Sequence, residues 1–101
     1  MKLKTTLFLM LLLSASAAVT AAGDIAAGKA RASSCMSCHG SMGISANPAW
    51  PNLAGQKRLY LQKQLQDFRD GKRQDPTMSA MAKALTDNDI SNLAAYYSSL
   101  K

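Results

Sequence analysis

Cys35-Met36-Ser37-Cys38-His39 decides how the rest of the chain is read. Two thiols separated by two residues and followed at once by an imidazole match the pattern by which haem is tethered to protein. Each thiol can add its S–H across one of the two neighbouring vinyl groups of a haem edge. The next residue is then held beneath the iron, where an imidazole serves as axial ligand. Cys35 and Cys38 are the only cysteines in the chain and His39 the only histidine. A zinc site would need a fourth ligand that no further Cys or His supplies. A thioredoxin-like couple is expected beside a βαβ pattern, which the sequence lacks, and a plain disulfide leaves the adjacent histidine unexplained. The pattern predicts one covalent haem c with its iron, attached at Cys35 and Cys38 and ligated by His39.

Upstream, Lys2 and Lys4 precede an apolar run over residues 7–13, then mostly small residues ending in Val19-Thr20-Ala21. That is the layout of a secretory signal, expected over residues 1–21 and removed on export. The competing reading is an uncleaved anchor. The uncharged run from Thr5 to Ala22 is near the lower limit for spanning a bilayer, and its second half is Ala, Ser and Thr rather than Leu. Residues 22–101 form the expected domain, soluble once the signal is removed. Covalent haem attachment of this kind occurs outside the cytoplasm, which agrees with export to the periplasm.

A domain of this length buries a modest core and usually needs a staple. The two cysteines lie too close together to act as one by disulfide, so a cofactor is the expected stabiliser. No segment shows the period-two alternation of a strand, and the class predicted is all-α. Asp24 is a good N-cap for a helix over residues 25–32. A loop of about twenty residues follows from Gly40, with Gly43, Pro48, Pro51 and Gly55, long enough to be wrapped around something. A second helix is expected over residues 56–70, with Leu61, Leu65 and Phe68 on one face and Gly71 as its stop. A shorter loop through Asp75-Pro76 leads to Met78. The last helix opens at Thr86-Asp87-Asn88-Asp89, a capping box with Asp in the acidic position. It places Ile90, Leu93, Ala94, Tyr97 and Leu100 on one side.

The second axial position of the iron calls for another ligand. Met36 lies within the attachment turn and Met42 three residues past His39, so both are tied to the proximal side. Met78 and Met81 remain. Met81 pairs at i, i+4 with Leu85, as a core residue would. Met78 follows Pro76 in the expected loop, where the backbone can aim a side chain at a metal. Met78 is therefore the expected ligand, Met81 the alternative, and a filler role for both would leave the position open. A thioether favours ferrous iron, so His/Met ligation raises the reduction potential relative to His/His.

These residues resemble the class I cytochromes c. Within them they are similar to the small bacterial type, found as monohaem proteins such as cytochrome c-553 and as the halves of two-haem periplasmic cytochromes. The resemblance covers residues 22–101. It rests on Gly28 seven residues before Cys35, the attachment run through Gly40, and Pro51-Asn52-Leu53-Ala54-Gly55-Gln56. It continues through Tyr60-Leu61, Gln64-Leu65, Phe68 and Gly71-Lys72-Arg73 to Met78, Leu85, Asp89-Ile90 and Leu93-Ala94-Ala95-Tyr96-Tyr97. It implies an all-α fold in which the first and last helices cross, with Gly28 allowing the close approach and Tyr96 packing against it. It implies that the Pro51 carbonyl accepts the Nδ1–H of His39, and it favours Met78 over Met81. Trp50 is a departure from the residue that relatives often carry before the proline. One attachment motif means one haem for this chain.

Of the twelve Lys and Arg, only Lys2 and Lys4 precede residue 22, so ten face six Asp and no Glu, and residues 22–101 carry +4. Lys57, Arg58, Lys63, Arg69, Lys72 and Arg73 cluster on and after the second helix. Such a cluster suits an acidic redox partner docking near the haem edge, or it is simply a solvated face. Charge this modest, in an exported protein with no recognition motif, argues against nucleic acid. The function expected is a periplasmic electron carrier without a small-molecule substrate. The alternatives are a haem subunit of a larger complex and a sensor or peroxidase-like protein with an open iron position. The last is disfavoured because His39 leaves no second histidine for distal acid–base work.

Overall fold

The computed structural model describes residues 2–4, 10 and 23–101. The expected export signal over residues 1–21 therefore falls almost wholly outside the described residues. Five helices follow one another: α1 Ile25–Arg31, α2 Met36–His39, α3 Arg58–Asp70, α4 Pro76–Ala82 and α5 Asp87–Ser99, with a 3₁₀ turn at Ala32–Ser34 joining the first two. Among the described residues there is no strand, as the sequence implies.

Helix α5 organises the domain. Its capping box is complete: Thr86 Oγ1 accepts the Asp89 N–H at 3.1 Å and Asp89 Oδ2 accepts the Thr86 N–H at 3.0 Å. Those bonds, led by the one from the Thr86 backbone and helped by Arg31, hold the Asp89 carboxyl below the ordinary carboxylate range. The helix packs against α1 on one side and α3 on another. It is consequently buried almost all round: Ile90, Leu93, Ala94, Ala95, Tyr96 and Tyr97 are all enclosed. The single stripe expected from periodicity understated this, because a helix with two neighbours needs two apolar faces.

Gly28 allows α1 its approach to α5. A Cβ there would lie 2.0 Å from the Asn92 carbonyl oxygen and 2.7 Å from Tyr96 Cβ, distances only a bare backbone can accept. The start of α1 is fastened to the same place. Asp24 caps it through Oδ1 to the Ala27 N–H, while the Asp24 N–H donates to Asn92 Oδ1 at 2.8 Å. Leu61, Leu93, Ala94, Tyr96, Tyr97 and Ala32 make one core, with Cys35, Met36, Leu53, Leu65, Leu85 and Leu100 packed around it.

Two expectations are corrected. Helix α3 begins at Arg58 rather than residue 56, because Gln56 still belongs to the loop, its N–H bonded to the Leu53 carbonyl. The stretch from Pro76 to Met78, expected as loop, instead opens a helix that runs Pro76–Ala82. Asp75 Oδ1 caps that helix by accepting the N–H groups of Thr77 and Met78 at 3.0 and 2.8 Å. Pro76 takes the first helical position, where its missing N–H costs nothing. Helix α3 ends as expected at Gly71, in the left-handed region at φ 79°.

Two stability effects follow. Gly28→Ala should lower the unfolding free energy by about 3 kcal/mol or more, at the top of the overpacking range. It would read as a fall in denaturant midpoint at unchanged slope. Thr86→Ala removes a cap and should cost about 1 kcal/mol. Because the Asp89 value is depressed in the fold, its contribution is complete above about pH 4 and is lost as pH falls through the depressed value. Thermal melts across that window should show a shallower acid loss for Asp89→Asn than for the parent chain.

Candidate haem site

The attachment run is itself a helical turn. The His39 N–H donates to the Cys35 carbonyl and the Gly40 N–H to that of Met36, each at 2.9 Å. Gly40 then reverses the chain at φ 87°, and a Cβ there would sit 1.9 Å from the Ile44 carbonyl oxygen. The loop over residues 40–57 is held by its own hydrogen bonds rather than by apolar burial. The Gly43 carbonyl accepts N–H groups from Leu53 and Ala54 at 2.8 and 3.0 Å. Asn52 Oδ1 accepts the Ser45 N–H at 2.7 Å, and Ser45 Oγ donates to the Cys38 carbonyl at 3.1 Å. The Gly55 N–H reaches the Tyr97 carbonyl of α5 at 2.9 Å.

This loop brings the Pro51 carbonyl to 2.8 Å from His39 Nδ1. A proline carbonyl can only accept, so Nδ1 carries the proton and Nε2 keeps its lone pair. The imidazole is 7% exposed. Its tautomer and ring orientation are thus set before any metal arrives.

His39, Cys35 and Cys38 line a cavity of about 560 Å³ together with Met78 and Met81 of α4, within the roughly 300–1,000 Å³ usual for cofactor sites. Leu61, Leu65, Phe68 and Leu93 give it an apolar lining. Met36 and Met42 are not among its lining residues; Met36 packs on the core and Met42 is largely exposed. Met81 does not pack into the core with Leu85 as expected. Helix α4 ends at Ala82, so the i, i+4 relation to Leu85 is broken and Ala82 is the residue buried there. Met81 instead stands 43% exposed one turn beyond the half-buried Met78. Trp50 also lines the cavity and is 44% exposed, so it both faces the site and covers it.

Two residues line the cavity for which the sequence suggests other roles, Arg73 in the cationic cluster and Tyr97 in the apolar stripe of the last helix. Arg73 lines the cavity with its guanidinium 4.5 Å from the Phe68 ring centroid and 2.7 Å from Gln64 Oε1. Tyr97 was counted only as an apolar position, yet its buried Oη makes no hydrogen bond among the described residues. Burial first, and the Cys35 thiol second, push its phenol above the ordinary range. An unsatisfied buried hydroxyl costs about 1–3 kcal/mol, and this one belongs to a side chain that lines the cavity.

The donor set fits a haem. Two thiols sit at helical spacing, one imidazole presents a free Nε2, two thioethers enter the same cavity, and apolar side chains surround them. The comparisons with known proteins agree. The family model for cytochrome c matches residues 25–101. Cytochrome c4 of Pseudomonas aeruginosa is 44% identical over 97% of this chain and 49% of its own length. Cytochrome c-554(548) of Halomonas halodenitrificans is 44% identical over 77% of this chain and 98% of its own. The crystal structure of reduced recombinant cytochrome c4 from Pseudomonas stutzeri superposes with a TM-score of 0.75 at 42% identity, covering 79% of this chain and 47% of that one. The chain thus spans about half the length of the cytochrome c4 relatives it matches. It belongs to the cytochrome c family, as an electron-transfer domain with covalently bound haem c and its iron.

Proposed function

We propose that this chain is a periplasmic carrier of single electrons, exported by residues 1–21, with residues 22–101 as its cytochrome domain. Its haem is tethered at Cys35 and Cys38 and its iron is ligated by His39 and Met78. The observation that carries the reading is the 2.8 Å contact of His39 Nδ1 with the Pro51 carbonyl. It leaves Nε2 as the one basic nitrogen of a buried ring beside the cavity that Met78 also lines. Haem iron supplies a one-electron couple there. The chain's own residues hold the imidazole in one tautomer and give the cavity a largely apolar wall of Leu61, Leu65, Phe68 and Leu93. Arg73, the only basic side chain besides His39 that lines the cavity among the described residues, is engaged by Gln64 and stacked on Phe68, which counts against a peroxidase-like role. The support for export is the sequence layout alone; among the described residues, no helix is long and apolar enough to cross a membrane.

An acidic redox partner is the proposed counterpart, docking beside the cavity mouth. The ion pairing of α3 narrows the cations available to it. Lys63 is paired with Asp67. Arg69 bonds Asp70 at 3.0 Å and Asp87 at 2.7 Å, and those two aspartates raise its pKa above the ordinary value. Lys57 and Lys72 are exposed, and the proposed docking rests on them.

The ligand assignment is tested by spectra of the holoprotein. Met78→Ala should lose the far-red band of sulfur–iron ligation, bind carbon monoxide when reduced and fall in reduction potential. Met81→Ala should keep the band and exclude carbon monoxide; the reverse pattern would make Met81 the ligand. The docking charge is tested with small oxidants. Oxidation by ferricyanide should slow as ionic strength rises, and a Lys57→Glu/Lys72→Glu variant should flatten that dependence. An unchanged salt slope would remove these lysines from the docking face.

A further inference from the structure

Arg73 is fixed in both backbone and side chain. Its N–H donates to the Asp67 carbonyl of α3 at 3.0 Å, just past the left-handed turn at Gly71. Its Nη1 donates to Gln64 Oε1 at 2.7 Å, and the guanidinium carbon lies 4.5 Å from the Phe68 ring centroid. Phe68 is buried, and Gln64, Phe68 and Arg73 all line the cavity. Among the described residues Arg73 is the one Lys or Arg that does so. A guanidinium offers several N–H donors, and the bond to Gln64 occupies one nitrogen. Unlike Arg31, Lys63 and Arg69, Arg73 has no carboxylate in ion-pairing range among the described residues. Asp75, the acid that lines the same cavity, turns its Oδ1 instead to the N–H groups of Thr77 and Met78.

We propose that Arg73 is a haem-binding residue, its guanidinium pairing with one of the two propionate carboxylates, which raises the reduction potential. The proposal rests on the reading of this cavity as the haem site. Haem is an apolar ring with its carboxylates on one edge. In a cavity walled by Leu61, Leu65, Phe68 and Leu93 the ring is buried, and the carboxylates must stay hydrated or find a partner, because burying an unpaired charge is costly. Arg73 meets both conditions, since it lines the cavity and is itself exposed to water. Its planar fork matches a carboxylate in a way that an ammonium does not. Holding that fork on Phe68 and Gln64 beforehand reduces the side-chain freedom lost on binding. The effect on the potential follows from charge. Oxidised haem carries one more positive charge than reduced haem, so an unpaired carboxylate beside it favours the oxidised state. A cation that offsets the carboxylate removes that preference.

The test uses two variants of the holoprotein. Arg73→Gln removes the charge and keeps a polar side chain at an exposed position. Its reduction potential should fall, and the propionate bending band should shift in the resonance Raman spectrum. The far-red sulfur–iron band should stay, showing that the axial ligands are undisturbed. Arg73→Lys keeps the charge and loses the fork, so its potential should lie closer to that of the parent while the propionate band still shifts. A propionate band unchanged in Arg73→Gln, or a potential that falls as far in Arg73→Lys, would overturn the proposal. The haem reading is checked separately on the parent chain. A purified parent with no haem absorption would overturn that reading first and this proposal with it.

Discussion

The approach of α1 to α5 at Gly28 is the constraint from which the rest is built. With the Asn92 carbonyl and Tyr96 Cβ already where a side chain would be, only glycine lets the two helices meet. The Asp24 N–H then fastens the entry to α1 onto Asn92. Because α1 runs through a 3₁₀ turn straight into the attachment turn, placing α1 on α5 also places Cys35, Cys38 and His39. The same α5 supplies Leu93 and Tyr97 to the cavity and accepts the loop through the Gly55 N–H. One close contact thus sets the position of the thiols, the imidazole and one wall of the site together.

The loop over residues 40–57 depends on that frame in a different way. Most of it is exposed, so burial contributes little to its shape. Its order comes from a chain of directed bonds: Gly43 to Leu53 and Ala54, Ser45 to Asn52 and Cys38, Gly55 to Tyr97. Each bond contributes only about 1 kcal/mol net, but together they deliver a single carbonyl, that of Pro51, to His39 Nδ1. For a site meant to exchange electrons without rearranging, a ligand fixed by its hydrogen bond to the Pro51 carbonyl before metal binding is the useful outcome. It also explains why a loop this long persists in so small a domain.

What could be read from the sequence was the chemistry that is local. The attachment run, the Asp24 cap, the Thr86–Asp89 capping box and the Gly71 stop each depend on residues within a turn of one another, and each is found in the fold. The resemblance added the Gly28–Tyr96 contact, which no local rule supplies. The misreadings share a cause. Asp75-Pro76 can open a turn or cap a helix with proline at its first position, and a helix of seven residues is too short for periodicity to choose. Met81 was paired with Leu85 across a helix end that periodicity cannot see. Tyr97 fits an apolar stripe, so its hydroxyl drew no attention.

The geometry of α4 bears on the choice between the two methionines. The Met78 N–H is itself one of the two donors to Asp75 Oδ1. The Asp75 N–H is in turn held by Ser79 Oγ at 3.1 Å, so the backbone at Met78 sits in a first turn closed from both sides. Met81 lies a turn further on, where the helix is about to end and its side chain is 43% exposed. A metal ligand must be held in place against the entropy of a flexible thioether, about 1.5–2 kcal/mol for a methionine side chain that is fully ordered. The half-buried, capped position loses less freedom on ligation than the exposed one. The proposed assignment of Met78 therefore stands on the cap at Asp75 and on burial, and no longer on the loop that the sequence suggested.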